Sequence, residues 1–268
     1  MAGGDGNPVL LVHGILDTHY MPWWGVLEDH LVSTGVPRDH IYRMDYHAVP
    51  GQKVRSIENY AHRIGTEVEW LADYHDCAID LVAHSMGGLD CRWFVEEQGG
   101  HTCVDRLVTL STPHRGSFPT LLTWVVPAGR EMWPRSELLH TLNDDGYPDD
   151  VDYCAVWSTC DPVMHPTSTA KLPMRGDMSQ HHNVCAGPYG HIEMVWKRQV
   201  FNTYRHFLVD GPADGLEDDV VSSDAAGPGN GPVVETPEER PFEVPIEPAE
   251  PAEGRSLIES AASVLPWR

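Results

Sequence analysis

Residues 78–96, Ala-Ile-Asp-Leu-Val-Ala-His-Ser-Met-Gly-Gly-Leu-Asp-Cys-Arg-Trp-Phe-Val-Glu, constrain this chain more than any other stretch. Residues 78–83 are mostly apolar and partly β-branched, which predicts a buried strand. Residues 86–98 read as a helix closed by Gly99-Gly100. Ser85 stands between them, with Ala83 two residues before it and Gly87 two residues after. A serine on so tight a bend adopts a strained backbone and draws strand and helix together, so larger neighbours at those two positions would clash. The bend exposes the hydroxyl at the edge of the sheet where strands end, the usual place for sites in open α/β sheets. The N–H of Met86, in the first turn of the helix, faces the same space and is a candidate oxyanion donor.

The rest of the chain alternates in the same way. Residues 8–12, 41–46, 106–111, 153–157 and 183–186 read as further strands. Residues 55–74 carry Ile57, Tyr60, Ile64, Val68 and Leu71 at helical spacing, and residues 193–208 read as a last helix. This predicts an α/β fold: a mostly parallel central sheet with helices on both faces, over residues 1–210. Between 114 and 150 the period breaks down into a Trp- and Leu-rich stretch with prolines. That segment is read either as plain cover for the core or as a small apolar cap or lid beside a cleft. Residues 211–268 turn to Gly, Pro, Ala and acids, with too little apolar surface to offset ordering. They are expected to form a disordered acidic tail, with a weakly amphipathic end over 256–267.

A serine hydroxyl needs a base, and the base needs an orienting acid. With this elbow the chain order is serine, acid, histidine, each after a later strand. His191 follows the strand at 183–186 and a Gly-Pro-Tyr-Gly loop, with Gly190 beside it. His181 and His182 precede that strand, at the wrong end of the sheet, while His114, His140 and His165 fall in connecting segments. Asp161 comes just after the strand at 153–157, with an Asp-Pro turn as its mundane reading and Asp177 in reserve. His13-Gly14 closes the first strand, so the N–H of Ile15 is the second candidate oxyanion donor, and the His13 imidazole is expected to tie the loop down.

Together, "PVLLVHGILD", "DLVAHSMGGLDCRWFVE", "VTLSTPHRGS", "SELLHTLN", "CDPVMHP" and "GHIEMV" resemble, in order, the lipase and esterase branch of the α/β-hydrolase superfamily. The Ala-His-Ser-Met-Gly-Gly elbow is similar to that of small Bacillus lipases, and the resemblance spans about residues 7–208. It implies a carboxylic-ester hydrolase with Ser85 as nucleophile, His191 as base and then acid, Asp161 as orienting carboxylate, and no cofactor. Its partner is a small-molecule or lipid ester. Trp23, Trp24, Leu121 and Trp124 are the apolar side chains expected to wall an acyl cleft, with core packing as the alternative for each. A thioesterase, amidase or acyltransferase could use the same triad, and an inactive binding scaffold is the rival from outside enzymes.

Charge bears on partners. The net charge is −22, from 40 acids against 18 bases, which repels nucleic acid phosphates and anionic membranes. The excess is spread through the chain and lysine is limited to Lys53, Lys171 and Lys197, so a surface adapted to high salt is expected. The cysteines Cys77, Cys91, Cys103, Cys154, Cys160 and Cys185 have no CxxC spacing and read as free thiols, with neither a zinc site nor a disulfide framework. The N-terminal apolar run has no basic flank, and no later run is long enough to span a membrane. A soluble cytoplasmic protein is the expectation.

Overall fold

The computed structural model describes residues 6–46, 56–119, 124–144, 146–173 and 181–209. Within them, six strands form one sheet: β1 (Val9–Val12), β2 (Ile41–Arg43), β3 (Ile79–His84), β4 (Val104–Leu110), β5 (Asp152–Ser158) and β6 (His181–Gly187). The order is β2-β1-β3-β4-β5-β6, and every pairing is parallel. Parallel neighbours need crossovers: α1 (Pro22–Val32) lies between β1 and β2, α2 (Ile57–His75) between β2 and β3, α3 (Met86–Glu97) between β3 and β4, and α4 (Pro127–Glu131) and α5 (Glu137–Asp144) between β4 and β5, while α6 (Glu193–Trp196) and α7 (Arg198–Val209) follow β6.

The period-2 alternation of the strands sorts the core into two layers. Leu10, Val12, Leu81, Ala83, Leu107, Tyr153 and Ala155 face α2 and α3, where Ala61, Ile64, Val68, Leu71 and Phe94 meet them. Val9, Leu11, Val82, Val108, Leu110, Cys154 and Val156 face the other way, toward α1 and the α6–α7 pair. Helices therefore cover both faces, as the sequence predicts. All of β3 is buried, which accounts for its nearly continuous apolar run.

Several boundaries differ from those read in the sequence. The second strand ends at Arg43, although the Met44 N–H still donates to the Leu11 carbonyl at 2.8 Å. The last helix is two, because Lys197 is extended (φ −68°, ψ 125°) between α6 and α7. Helix α1 has no counterpart among the elements read from the sequence. It starts with Pro22 in its first turn, where a missing N–H costs nothing. Within 114–150, α4 and α5 pack Ala128, Met132, Leu138, Leu139 and Leu142 onto Ile57, Met86 and Leu89. All six cysteines are free, and no described helix is long and apolar enough to cross a membrane. The expected acidic tail, 211–268, lies outside the described residues.

Candidate active site

β3 runs to His84, α3 begins at Met86, and Ser85 alone makes the bend. Its φ of 57° and ψ of −129° are costly for a residue with a side chain. The bend is pinned by the Ser85 N–H donating to the Leu110 carbonyl at 2.9 Å and by the Gly88 N–H donating to the Ser85 carbonyl at 3.1 Å. The neighbours are small because there is no room. A Cβ on Gly87 would lie 2.6 Å from the His13 carbonyl oxygen, and one on Gly14 would lie 2.7 Å from the Ser85 Cβ. The loop after β1 is thus pressed against both the serine and the first turn of α3.

That loop carries Ile15, which packs beside Met86 and Leu89. Among the described residues, neither the Ile15 nor the Met86 backbone N–H donates to a protein acceptor. His13 ties the loop as expected: its Nδ1 lies 3.0 Å from the Gly14 carbonyl oxygen, and its ring meets the Tyr46 ring edge-on at 4.7 Å. Burial lowers the His13 pKa, which keeps it neutral.

The two residues expected to serve Ser85 come to it from β5 and β6. His191 Nε2 lies 3.0 Å from Ser85 Oγ, and His191 Nδ1 lies 2.7 Å from Asp161 Oδ2. The other carboxylate oxygen of Asp161 accepts from the N–H groups of Val163 at 2.8 Å and Met164 at 3.2 Å. The turn reading and the orienting reading of Asp161 therefore hold at once, one on each oxygen. Burial pushes the Asp161 pKa up, but the bond and charge of His191 and the Val163 amide outweigh it, and the net shift is downward. Asp161 stays ionised against Nδ1, so Nδ1 carries the proton and Nε2 is free to accept one from Ser85.

Other histidines serve elsewhere. His181 and His182 are the first residues of β6, at the opposite end of the sheet from Ser85. His114 is fully buried, with Nε2 2.8 Å from the Thr109 hydroxyl, and burial holds its pKa well below the ordinary value. His140 pairs with Asp144 on α5. Asp177 lies outside the described residues.

The expected cleft walls fare less well. Trp24 is 1% exposed, in the core layer with Leu27, Leu31 and Phe201. It is a core residue, not a cleft wall, because the helical stripe Trp24-Leu27-Leu31 faces the sheet. Trp23, beside it on α1, is half-buried, and its Nε1–H donates to Asp17 at 3.2 Å. Trp124 is 43% exposed and meets Trp133 edge-on at 5.5 Å. Leu121 lies outside the described residues.

Residues that sequence reasoning missed hold the loop bearing His191. The Ser158 hydroxyl donates to the Tyr189 carbonyl at 2.5 Å and accepts from the Tyr189 N–H at 3.0 Å. The Glu193 carboxylate accepts from the Gly190 N–H at 2.8 Å. His84 Nε2 lies 3.0 Å from the His191 carbonyl oxygen. No pattern in the sequence marks these contacts, which join residues distant along the chain or depend on a loop's detailed path.

Residues 8–189 match the palmitoyl protein thioesterase family. Lysosomal thioesterase PPT2 of Mus musculus is 22% identical over 220 residues, covering 80% of this chain; the chain spans only 65% of that relative's length. The mature form of Bacillus licheniformis lipase BlEst2 superposes with a TM-score of 0.62 at 16% identity, over 76% of this chain and 92% of that one. Monoacylglycerol lipase of Paleococcus ferrophilus gives 0.57 at 14%, over 77% and 97%. At such identities the structural likenesses establish a shared α/β-hydrolase fold.

Proposed function

The chain belongs to the palmitoyl protein thioesterase family, and from that membership and the geometry of the site we propose that it is a serine hydrolase that cleaves carboxylic esters through an acyl-enzyme. The observation that carries the reading is the single hydrogen-bonded line from Ser85 Oγ through His191 to Asp161.

In this mechanism the Ser85 hydroxyl attacks the ester carbonyl carbon as its proton passes to His191 Nε2. The imidazolium that forms is stabilised by the ionised Asp161 at Nδ1. The carbonyl oxygen gains the negative charge and is received by the Ile15 and Met86 amides, each worth about 3 kcal/mol in the transition state. The C–O bond to the alcohol then breaks, and His191 returns the proton to the departing oxygen. A water molecule attacks the acyl-enzyme with His191 again as base, releasing the acid and restoring Ser85. Every proton is accounted for by His191, so no cofactor enters the scheme.

A second reading, thioester cleavage, is compatible with the family match over residues 8–189. The two differ in how much help the leaving group needs. An alkoxide must be protonated as it leaves, whereas a thiolate, with a pKa near 8.5, leaves without that assistance. The test pairs oxygen and sulfur esters that differ in the leaving atom alone, such as ethyl palmitate and S-ethyl thiopalmitate. Ester turnover exceeding thioester turnover supports the first reading, and the reverse order establishes the second. Ser85→Ala is expected to lower either activity by about a million-fold; undiminished turnover would remove Ser85 from the mechanism.

A further inference from the structure

One buried side chain touches the triad that this mechanism does not use. His84 precedes Ser85 and is 2% exposed. Its Nε2 is 3.0 Å from the His191 carbonyl oxygen, and the two ring centroids are 4.6 Å apart at a 48° tilt. A carbonyl oxygen only accepts, so Nε2 carries a hydrogen and His84 is the neutral Nε2–H tautomer. Burial first, and the neighbouring His191 next, hold its pKa at about 3, so it does not gain a charge that would oppose the imidazolium of His191. Its other nitrogen, Nδ1, is buried with no hydrogen-bond partner among the described residues, so it does not serve as a second base toward Ser85.

We propose that His84 is a positioning residue, whose Nε2–H fixes the His191 peptide and so sets the distance from the His191 imidazole to the Ser85 hydroxyl. Ser158 and Glu193 hold the loop upstream, at Tyr189 and Gly190. His84, the last residue of β3, ties its backbone to the strand that leads into Ser85. Because His84 and Ser85 are consecutive, a shift in the end of β3 carries the hydroxyl and the tether together, and the 3.0 Å separation survives it. A misplacement on the order of 1 Å at such a site costs about a hundredfold in rate. The inference rests on the roles given to Ser85 and His191 above.

The test compares His84→Gln, whose amide reaches about as far as Nε2, with His84→Asn, which is one methylene too short. Both are made in the full chain and assayed for p-nitrophenyl butyrate turnover and thermal unfolding. His84→Gln is expected within about threefold of the parent kcat, and His84→Asn lower by about tenfold to a hundredfold with KM little changed. In a His191→Ala background the same two substitutions are expected to differ by less than about twofold, since the tether then has nothing to position. If His84→Asn loses its cooperative unfolding transition, His84→Phe replaces it, with the same loss expected. Equal kcat for the glutamine and the short or apolar variant overturns the proposal. So does an undiminished difference in the His191→Ala background. If Ser85→Ala keeps its turnover, the mechanism itself is wrong; if Ser85→Ala is inactive while His84→Asn is fully active, only the tether is.

Discussion

Ser85 sits at a backbone conformation that residues with side chains avoid, at a cost of about 1–3 kcal/mol. The site holds it there with two backbone hydrogen bonds and the close approach of Gly14 and Gly87. This much was legible, because a strained serine demands small neighbours and the sequence displays them. His191 and Asp161 were legible too, from their places after later strands. The contact from His84 was not, since its meaning depends on where a loop more than a hundred residues away comes to rest. A different buried group sets a pH response. Asp80, near the start of β3, is bonded to Asn7 and Arg106, yet burial outweighs both and pushes its pKa up to about 7. The folded chain therefore keeps a proton on Asp80 that the unfolded chain, with an ordinary value near 4, has released. Its contribution to stability is full below about pH 4 and is lost as pH rises toward about 7. In urea titrations at pH 5.5 and 8, the stability gap between parent and Asp80→Asn is expected to be more favourable to the parent at pH 5.5. An identical gap at both values would contradict a raised Asp80.

At the scale of elements, helix contacts decide what a substitution does. Phe94, on α3, is 1% exposed and wedged between two glycines. A Cβ on Gly65 of α2 would lie 2.8 Å from one edge of the ring, and one on Gly100 would lie 2.5 Å from the other. Helix propensity alone favours Gly65→Ala by about 1 kcal/mol. The ring cannot retreat, so overpacking wins, and Gly65→Ala is expected to destabilise by about 1–3 kcal/mol. Gly65→Ala combined with Phe94→Leu is expected to cost less than the sum of the two single changes, measured by urea unfolding. Elements also show where sequence reasoning stopped. Trp24, Leu27 and Leu31 already marked a helical stripe, but an opening of Pro-Trp-Trp-Gly obscured α1 and made two adjacent tryptophans look alike. On a helix they point about 100° apart, so one is buried and the other is half-buried. The extended residue that splits α6 from α7, Lys197, has no breaker signal at all: neither Gly nor Pro stands there.

For the whole molecule, the parallel sheet with two helical layers follows from strands and helices taking turns along the chain, and that alternation is legible in the sequence. The surface is the other whole-molecule property. A net charge of −22 with few lysines implies strong self-repulsion in dilute buffer. Salt shortens the reach of that repulsion from about 10 Å at 0.1 M to about 3 Å at 1 M. The melting temperature is therefore expected to rise by about 5 °C or more between 0.1 and 2 M potassium chloride, and a flat or falling curve would refute a surface adapted to salt.

The hydroxyl and the imidazole it meets are 106 residues apart in the chain, and the carboxylate lies between them, 30 residues before that imidazole. No hairpin or single crossover unit contains all three. During refolding, then, catalysis can return only after β3, β5 and β6 have found their places, and an ester assay becomes a clock for the closing stage of assembly rather than for collapse or helix growth.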